Sequence, residues 1–221
     1  MARFSRALSV AVIVLVWSWP AVAVRGPSPE QTRQFLKDVA VHIDIETPNV
    51  LEVCTGWIGW TETGRSAVYT AAHCYQPGAT YRLALSTGEV VTASGFARWN
   101  DVDLMALWIP RGPLRAIRAW KPMPTGGFYA LYVLNGDGTT LAVTETRIAH
   151  LFPDIVFINA PSAVAMPISV LPGTSGAPIL DQADGLLVGM IVGHIPDRRD
   201  ISAVIPASRI YKALLDAAKV K

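Results

Sequence analysis

The sequence predicts an all-β protein, and three features of the chain support that prediction. Short runs rich in Val, Ile, Tyr and Trp recur along the chain, separated by turn residues such as "ETGR", "STGE", "NGDG" and "DQADG". Helix signals are few after the N-terminal region, and the Pro-rich stretch "IPRGPLRAIRAWKPMP" lies at the middle as a connector between two halves. About a dozen strands at such close spacing predict an antiparallel barrel or sandwich. In chain order the predicted strands are "AVHIDI", "VCTGWIGW", "SAVYTAA", "YRLAL", "EVVTASGFA", "LMALWI", "FYALYVL", "LAVTETRIA", "DIVFINA", "APIL", "LLVGMIVGHI" and "ISAVIP".

The composition is that of a folded protein without a strong charge. With 221 residues, 51% of them hydrophobic and 16% charged, the chain suits one globular unit or two small subdomains that share a core. The formal net charge is +2, and Arg3 and Arg6 lie in a leader that we expect to be removed, which leaves basic and acidic residues in balance. A neutral protein has no electrostatic attraction to nucleic acid or anionic membranes, so we expect neither as a partner.

The N-terminus reads as an export signal. "MARFSRALSVAVIVLVWSWPAVAV" has a basic start, an apolar segment, the breaker Pro20 and a small-x-small site, which predicts a signal peptide over residues 1–23 with cleavage after Ala23. The alternative is an uncleaved anchor, because the apolar segment approaches the roughly 20 residues that span a bilayer. Either way we expect a secreted or periplasmic protein, and two cysteines in such a compartment predict one disulfide.

Two helices are predicted, one at each end of the folded part. Residues 24–38 form a linker and a short helix, because Ser28 and Gln31 have the Ser-x-x-Gln spacing of a capping box. Near the C-terminus, "ASRIYKALLDAAK" puts Ile210, Leu214 and Ala217 on one helical face.

Three motifs carry residues suited to nucleophilic catalysis. His73 ends the apolar run "SAVYTAAHC" and is either a packed histidine or a general base. Asp103 opens an apolar strand in "NDVDLMALWI", and a carboxylate that enters a core needs a partner such as a histidine N–H. Ser175 lies between Gly173 and Gly176 in "LPGTSGAPIL", where it is either a turn serine or a nucleophile that the glycines leave open to a substrate carbonyl. The N–H groups of Gly173 and Ser175 could then point at one developing oxyanion.

Taken in order, these motifs resemble those of the trypsin/chymotrypsin-like serine peptidases. "TAAHC" is similar to the family's Ala-Ala-His-Cys, "DLMAL" to its Asp-hydrophobic-Ala-hydrophobic strand, and "GTSGAP" to its Gly-x-Ser-Gly-x-Pro. "CTGW" and "GLLVGMIVG" extend the resemblance to residues 39–206. The resemblance implies two antiparallel β-barrel subdomains, at residues 39–118 and 119–221, the second including the C-terminal helix. It also implies an endopeptidase that acts on polypeptides through an acyl-enzyme and needs no cofactor.

The resemblance assigns a role to each motif residue. His73, Asp103 and Ser175 become the catalytic triad, and the backbone N–H groups of Gly173 and Ser175 become the oxyanion hole. Asp101 competes with Asp103 for the third role, and we favour Asp103 because it adjoins the apolar run.

The same resemblance pairs Cys54 with Cys74 in the disulfide. A metal site is the alternative, but two sulfurs and the imidazole of His73 fall short of the four ligands of a structural zinc, so we expect no metal.

Two departures from the digestive members bear on activation. Thr174 stands where those enzymes carry the aspartate that captures a newly cut N-terminus, and no Ile/Val-Val-Gly-Gly start follows the leader. We therefore expect a preformed catalytic loop, as in bacterial and viral relatives. The ending "VIPASRI" is similar to the bacterial branch, which includes the envelope proteases, although we expect no PDZ domain here.

By the family's motif, the primary specificity pocket has Ser169 at its floor and Val192, Gly193 and His194 along one wall. None of these is a carboxylate, which disfavours cleavage after Arg or Lys. His194, with Arg198 and Arg199 beyond it, could instead receive an acidic side chain, or these three could be solvated loop residues.

Other functions also fit the motifs. A non-catalytic binding protein that retained the peptidase fold is the alternative to an enzyme, and an esterase would use the same residues.

Overall fold

The computed structural model of the protein describes residues 26–123, 129–136, 141–148, 162–195 and 198–219. The predicted signal peptide with its cleavage site, and the predicted strand "DIVFINA", lie outside these residues.

Seven antiparallel strands form the first sheet, in the spatial order β5-β4-β1-β2-β3-β7-β6. The predicted strand "EVVTASGFA" is two strands here, broken at Ala93 and Ser94. The Ala93 N–H donates to the carbonyl of Tyr81 and the Ser94 N–H to that of Trp108, so the chain passes from one edge of the sheet to the other at this point. The strands are β1 (Ala40–Glu46), β2 (Leu51–Glu62), β3 (Arg65–Ala71), β4 (Thr80–Leu85), β5 (Val90–Thr92), β6 (Gly95–Trp99) and β7 (Leu104–Ile109).

Six antiparallel strands form the second sheet, in the spatial order β10-β13-β12-β11-β8-β9. The short strand β10 was not predicted, because its three residues are too few to show a strand period. The strands are β8 (Tyr129–Gly136), β9 (Leu141–Ile148), β10 (Val164–Met166), β11 (Pro178–Asp181), β12 (Leu187–Ile195) and β13 (Arg198–Pro206).

A helix lies at each end of the described chain. Helix α1 (Pro29–Val39) begins with the predicted capping box, in which the Ser28 hydroxyl accepts the N–H of Gln31 and the Gln31 side chain accepts the N–H of Ser28. Helix α2 (Ala207–Ala218) buries Ile210 in the core. No helix within residues 26–219, as far as the structure describes them, is long and apolar enough to cross a membrane.

The connector between the two sheets is bonded to both of them. The Ile117 N–H donates to the carbonyl of Ile58 in β2 at 2.8 Å, whereas the Lys121 N–H donates to that of Leu187 in β12 at 3.0 Å. The Lys121 ammonium also contacts the carboxylates of Asp181 and Asp184 at 2.7 and 2.8 Å. Partial burial alone would lower the pKa of Lys121, but these two hydrogen bonds raise it above its usual value. The predicted all-β fold, with two antiparallel halves and a C-terminal helix, is confirmed.

Candidate active site

His73 lies in a 3₁₀ turn, Ala72–Cys74, directly after strand β3. The residues on either side, Ala72 and Cys74, are buried, whereas the side chain of His73 is 45% exposed. A disulfide joins Cys74 to Cys54 in β2, which confirms the predicted bridge. The same bond rules out the metal alternative, because sulfurs held in a disulfide are not thiolate ligands. The His73 side chain is therefore at the surface, on a turn that is held in place by the buried residues Ala72 and Cys74 and by the disulfide.

Asp103 is the buried partner of His73. Its Oδ2 lies 2.8 Å from Nδ1 of the His73 ring, and its Oδ1 accepts the backbone N–H of His73 at 2.8 Å. Its own carbonyl accepts the N–H of Ala72 at 3.0 Å. Asp101, the other aspartate considered, is exposed, and its carbonyl accepts the hydroxyl of Ser162 at 2.9 Å. Of the two aspartates, the structure brings Asp103 to the histidine.

The backbone of Asp103 has a left-handed conformation, with φ of 46°. Among the described residues, all others with positive φ are glycines. Aspartate tolerates this region better than most residues. Here its carboxylate makes a long-range contact, with the turn of His73 that lies 30 residues earlier in the chain. The chain changes direction between β6 and β7 at the turn Asn100–Val102 and at Asp103. This change of direction places the Asp103 carboxylate next to His73.

The two bonds to Asp103 fix what the His73 ring can do. A carboxylate on Nδ1 favours the tautomer with the proton on that nitrogen, which leaves the lone pair on Nε2. A neutral imidazole in that state accepts a proton at Nε2, and the adjacent carboxylate stabilises the imidazolium that forms. The pair has the chemistry of an oriented general base.

The loop before Ser175 is a tight turn over residues 171–174. The backbone N–H and the hydroxyl of Thr174 both donate to the carbonyl of Leu171, at 3.2 and 2.7 Å. Pro172 occupies the second position of the turn, and Gly173 occupies the third with φ of 87°. Proline at the second position and a positive φ at the third define a type II turn. The alternative is a type I turn, which has a negative φ at the third position. In it, the peptide group between the second and third residues is rotated by about 180° relative to the type II turn.

Gly176 follows the serine where the second sheet touches the first. Its φ is 90°, and a Cβ added to it would lie 2.0 Å from the carbonyl oxygen of Thr55 and 2.3 Å from the hydroxyl of Thr70. No side chain fits there. The glycine after Ser175 therefore permits both the backbone turn and the close contact between the two sheets.

Two features around Ser175 bear on its chemistry. Among the hydrogen bonds of the described residues, none is donated by the backbone N–H of Gly173 or of Ser175, so both donors are available to a ligand. Nor does that set contain a hydrogen bond between Ser175 and His73. Catalytic hydrogen bonds are often long without substrate and tighten in the complex.

The predicted pocket residues differ in their environments. Ser169 is exposed, and its hydroxyl donates to the carbonyl of Arg199 at 3.0 Å. Val192 is buried and His194 is exposed, both on β12. A Cβ added to Gly193 would meet no atom within 4 Å, so there is open space beside this residue.

The two arginines considered with the pocket are not equivalent. Arg198 forms two hydrogen bonds of 2.9 Å with the carboxylate of Asp200. The guanidinium charge of Arg198 is therefore paired with the Asp200 carboxylate. Arg199 contributes its backbone carbonyl, which accepts the hydroxyl of Ser169.

A groove of about 490 Å³ lies away from these residues, between helix α1, the connector and the β11–β12 turn. Phe35, Ile117 and Leu186 are among its lining residues, and none of the predicted site residues is.

Thr55 and Thr70 are the residues near Ser175 that the sequence analysis missed. The Thr55 hydroxyl donates to the carbonyl of Gly173 at 2.8 Å, and the Thr70 hydroxyl donates to the carbonyl of Thr55 at 2.7 Å. The available signal was a threonine directly after Cys54, inside the otherwise apolar run "VCTGWIGW", where a hydroxyl needs a partner.

Comparison with known proteins identifies relatives of this chain. A family profile described as "Trypsin-like peptidase domain" matches residues 54–190. Among solved structures, the active form of the Rv3671c protease from M. tuberculosis has a TM-score of 0.67 and 21% identity, with 97% of this chain and 92% of that chain covered. The serine endoprotease from Yersinia pestis has a TM-score of 0.67 and 19% identity, with coverages of 86% and 66%. The HtrA-type protease AlgW with a tripeptide has a TM-score of 0.72 and 18% identity, with coverages of 86% and 63%. Comparison with curated proteins finds no match.

Proposed function

The chain belongs to the family of trypsin-like peptidases, and on that premise we propose that it is an exported serine endopeptidase that hydrolyses peptide bonds through a Ser-His-Asp acyl-enzyme mechanism. The observation that carries the proposal is the pair of 2.8 Å hydrogen bonds between His73 and the buried Asp103. Family membership supports polypeptides as the substrates.

In the proposed acylation step, the Ser175 hydroxyl attacks the carbonyl carbon of the scissile peptide bond, and Nε2 of His73 takes the hydroxyl proton. Asp103 holds the ring and stabilises the imidazolium. The carbonyl oxygen gains negative charge and is bound by the N–H groups of Gly173 and Ser175. The C–N bond then breaks, and His73 returns the proton to the leaving amine.

Deacylation repeats these steps with water as the nucleophile. His73 takes a proton from water as the oxygen attacks the ester of Ser175, and the same two N–H groups bind the second oxyanion. Collapse breaks the bond to the Ser175 oxygen, which recovers its proton from His73. The products are two shorter peptides and the free enzyme.

The proposal places the mature protein outside the cytosol, secreted or periplasmic. The Cys54–Cys74 disulfide supports it, because such bonds persist in oxidising compartments. We assign residues 1–23 to a signal peptide that is cleaved after Ala23, so that the mature enzyme has no stable association with the membrane.

For substrate preference, we propose that Ser169, Val192, Gly193 and His194 line the pocket for the residue before the scissile bond. The open space at Gly193 supports this assignment, since a Cβ added there would meet no atom within 4 Å. Without a carboxylate among these residues, a buried Arg or Lys would have no counter-charge. The pocket therefore favours small or medium uncharged residues.

A fluorophosphonate probe tests the proposed activity, because it reacts with an activated serine and not with an ordinary hydroxyl. We expect the mature protein to be labelled at one site and Ser175→Ala to be unlabelled and inactive, with the loss on the order of 10⁴ to 10⁶ in kcat. Ser94→Ala is the matched control, since Ser94 is an exposed serine bonded to the carbonyl of Trp108. Folded wild-type protein that takes up no probe would instead be a binding protein that retained the peptidase fold.

A further inference from the structure

Thr55 is a buried residue of β2, only 2% exposed, and it connects the first sheet to the loop of residues 171–175. Its hydroxyl donates to the carbonyl of Gly173 at 2.8 Å. Its backbone N–H donates to the carbonyl of Ser175, also at 2.8 Å. Its own carbonyl accepts the hydroxyl of Thr70 at 2.7 Å, so every polar group of Thr55 is bonded. One residue thus holds the loop on both sides of Thr174.

The hydroxyl of Thr55 acts on the residue that decides the shape of the turn. Gly173 can adopt positive or negative φ at similar cost, so glycine permits the type II turn but does not select it. Rotation to the type I turn would carry the Gly173 N–H to the opposite side of the loop. The bond from Thr55 holds the peptide group between Gly173 and Thr174, which adjoins the one that would rotate, and so restrains the glycine.

A second hydroxyl anchors the turn from within. Thr174 is 1% exposed, and it closes the turn on the carbonyl of Leu171 through its N–H and its side chain. Neither Thr55 nor Thr174 carries a charge, and neither contact involves a chain terminus. The loop is thus held by groups that are in place as soon as the two sheets pack.

We infer that Thr55 is a positioning residue: its hydroxyl restrains Gly173 in the turn in which the N–H groups of Gly173 and Ser175 face a developing oxyanion. This inference rests on the proposed function, since it assigns Thr55 a role in the same reaction. Thr55 touches neither the substrate nor the reacting atoms, and it acts through Gly173.

The experiment compares four variants with the wild-type mature protein. Thr55→Val removes the hydroxyl and keeps the shape of the side chain and the backbone bond to Ser175, while Thr55→Ser restores a hydroxyl. Thr55→Ala removes the hydroxyl without a new methyl group. Thr32→Val is the matched control, because Thr32 in α1 is a buried threonine whose hydroxyl has no hydrogen-bond partner among the described residues.

Two quantities separate positioning from a merely structural role. The final extent of fluorophosphonate labelling reports how much protein is folded. The rate of labelling reports how well each folded site stabilises the negative charge that develops on the phosphonyl oxygen as the serine displaces fluoride. We expect Thr55→Val and Thr55→Ala to be labelled to completion but roughly 10- to 100-fold more slowly, since a small misplacement of catalytic groups has effects of this size. The kcat for a peptide substrate should fall by the same factor, with KM changed less than about threefold.

The other readouts complete the test. Thr55→Ser should recover most of the rate, Thr32→Val should match the wild type, and the pH profile of kcat/KM should keep its midpoint in all variants because the His73–Asp103 pair is untouched. Hydroxyl-free variants labelled at the wild-type rate, even if to a lower extent, would overturn the inference and leave the proposed function standing. A wild-type protein that is not labelled overturns the proposed function, and the role of Thr55 falls with it.

Discussion

His73 is bound to Asp103 twice, once through its ring and once through its backbone, and the two bonds use different oxygens of the same carboxylate. The backbone N–H can only donate, so it requires an acceptor at Oδ1. This requirement makes the effect of an asparagine at that position predictable.

We expect Asp103→Asn to fold normally and to lose roughly 10⁴ in kcat. The amide oxygen must stay on the backbone N–H of His73, which turns the NH₂ group toward Nδ1. That nitrogen then becomes an acceptor, the ring proton moves to Nε2, and the histidine can no longer take a proton from Ser175. Asparagine tolerates the left-handed backbone of Asp103, so the fold should survive. Steady-state kinetics and circular dichroism measure the two effects.

Asp101→Asn is the matched control for this substitution, since Asp101 is exposed and is bonded to Ser162 through its backbone carbonyl. Its kcat should stay within about twofold of the wild type, as is usual for exposed positions. Exchanged phenotypes for the two variants would shift the catalytic aspartate to Asp101.

Removal of the disulfide should destabilise the protein without removing the triad. The bridge closes a loop with a sequence separation of 20 residues, and in the chain-entropy model such a loop contributes about 3 kcal/mol. We expect the double variant Cys54→Ser, Cys74→Ser to lower the free energy of unfolding by this amount in urea titrations. Peptide mapping of the exported wild type should recover Cys54 linked to Cys74, whereas two alkylated thiols would contradict the bridge.

Tyr69 should make the stability fall at high pH. Burial, with a smaller contribution from Tyr211, raises the pKa of Tyr69 to about 12 from an ordinary value of 10.0. The unfolded chain therefore releases this proton first, so the contribution of Tyr69 is complete below about pH 10 and is lost as the pH rises toward 12. The slope from one such proton is about 1.4 kcal/mol per pH unit.

Unfolding measured from pH 9 to 12 in the wild type and in Tyr69→Phe checks this prediction. Phenylalanine keeps the ring contact with Trp57 and has no proton to release, so the variant should show a shallower decline. Equal slopes in both proteins would assign the decline to other groups.

The pocket predicts better cleavage after Ala or Val than after Arg, because a buried cation there would lack a counter-charge. If His194 faces the substrate, its ring N–H can donate to a glutamate carboxylate, so the Glu-to-Ala ratio of kcat/KM should be higher in the wild type than in His194→Ala. The ratio is needed because any effect on the general base changes the rates for all substrates together.

The wild type and His194→Ala should be compared under the same conditions. A ratio that is the same in both proteins removes His194 from the pocket, and a preference for Arg rejects the pocket assignment as a whole.

Sequence alone determined the fold class, the disulfide and the positions of the three motifs, because each of these is written in local patterns. Strands show a period of two residues and are bounded by turn residues, and a capping box spans four residues. Two cysteines in an oxidising compartment allow one pairing. The same patterns identified Asp103 ahead of Asp101 from its place beside an apolar run.

Only the tertiary structure decided which residues far apart in the sequence form hydrogen bonds with each other. Nothing near Thr55 in the chain indicates that its hydroxyl meets Gly173, which lies 118 residues further on. The break at Ala93 and Ser94 likewise follows from partners on opposite edges of the sheet. Hydrogen bonds of this kind form only when the two sheets pack, since a buried carbonyl then takes whichever donor the fold brings to it. Local sequence preferences do not encode which donor that will be.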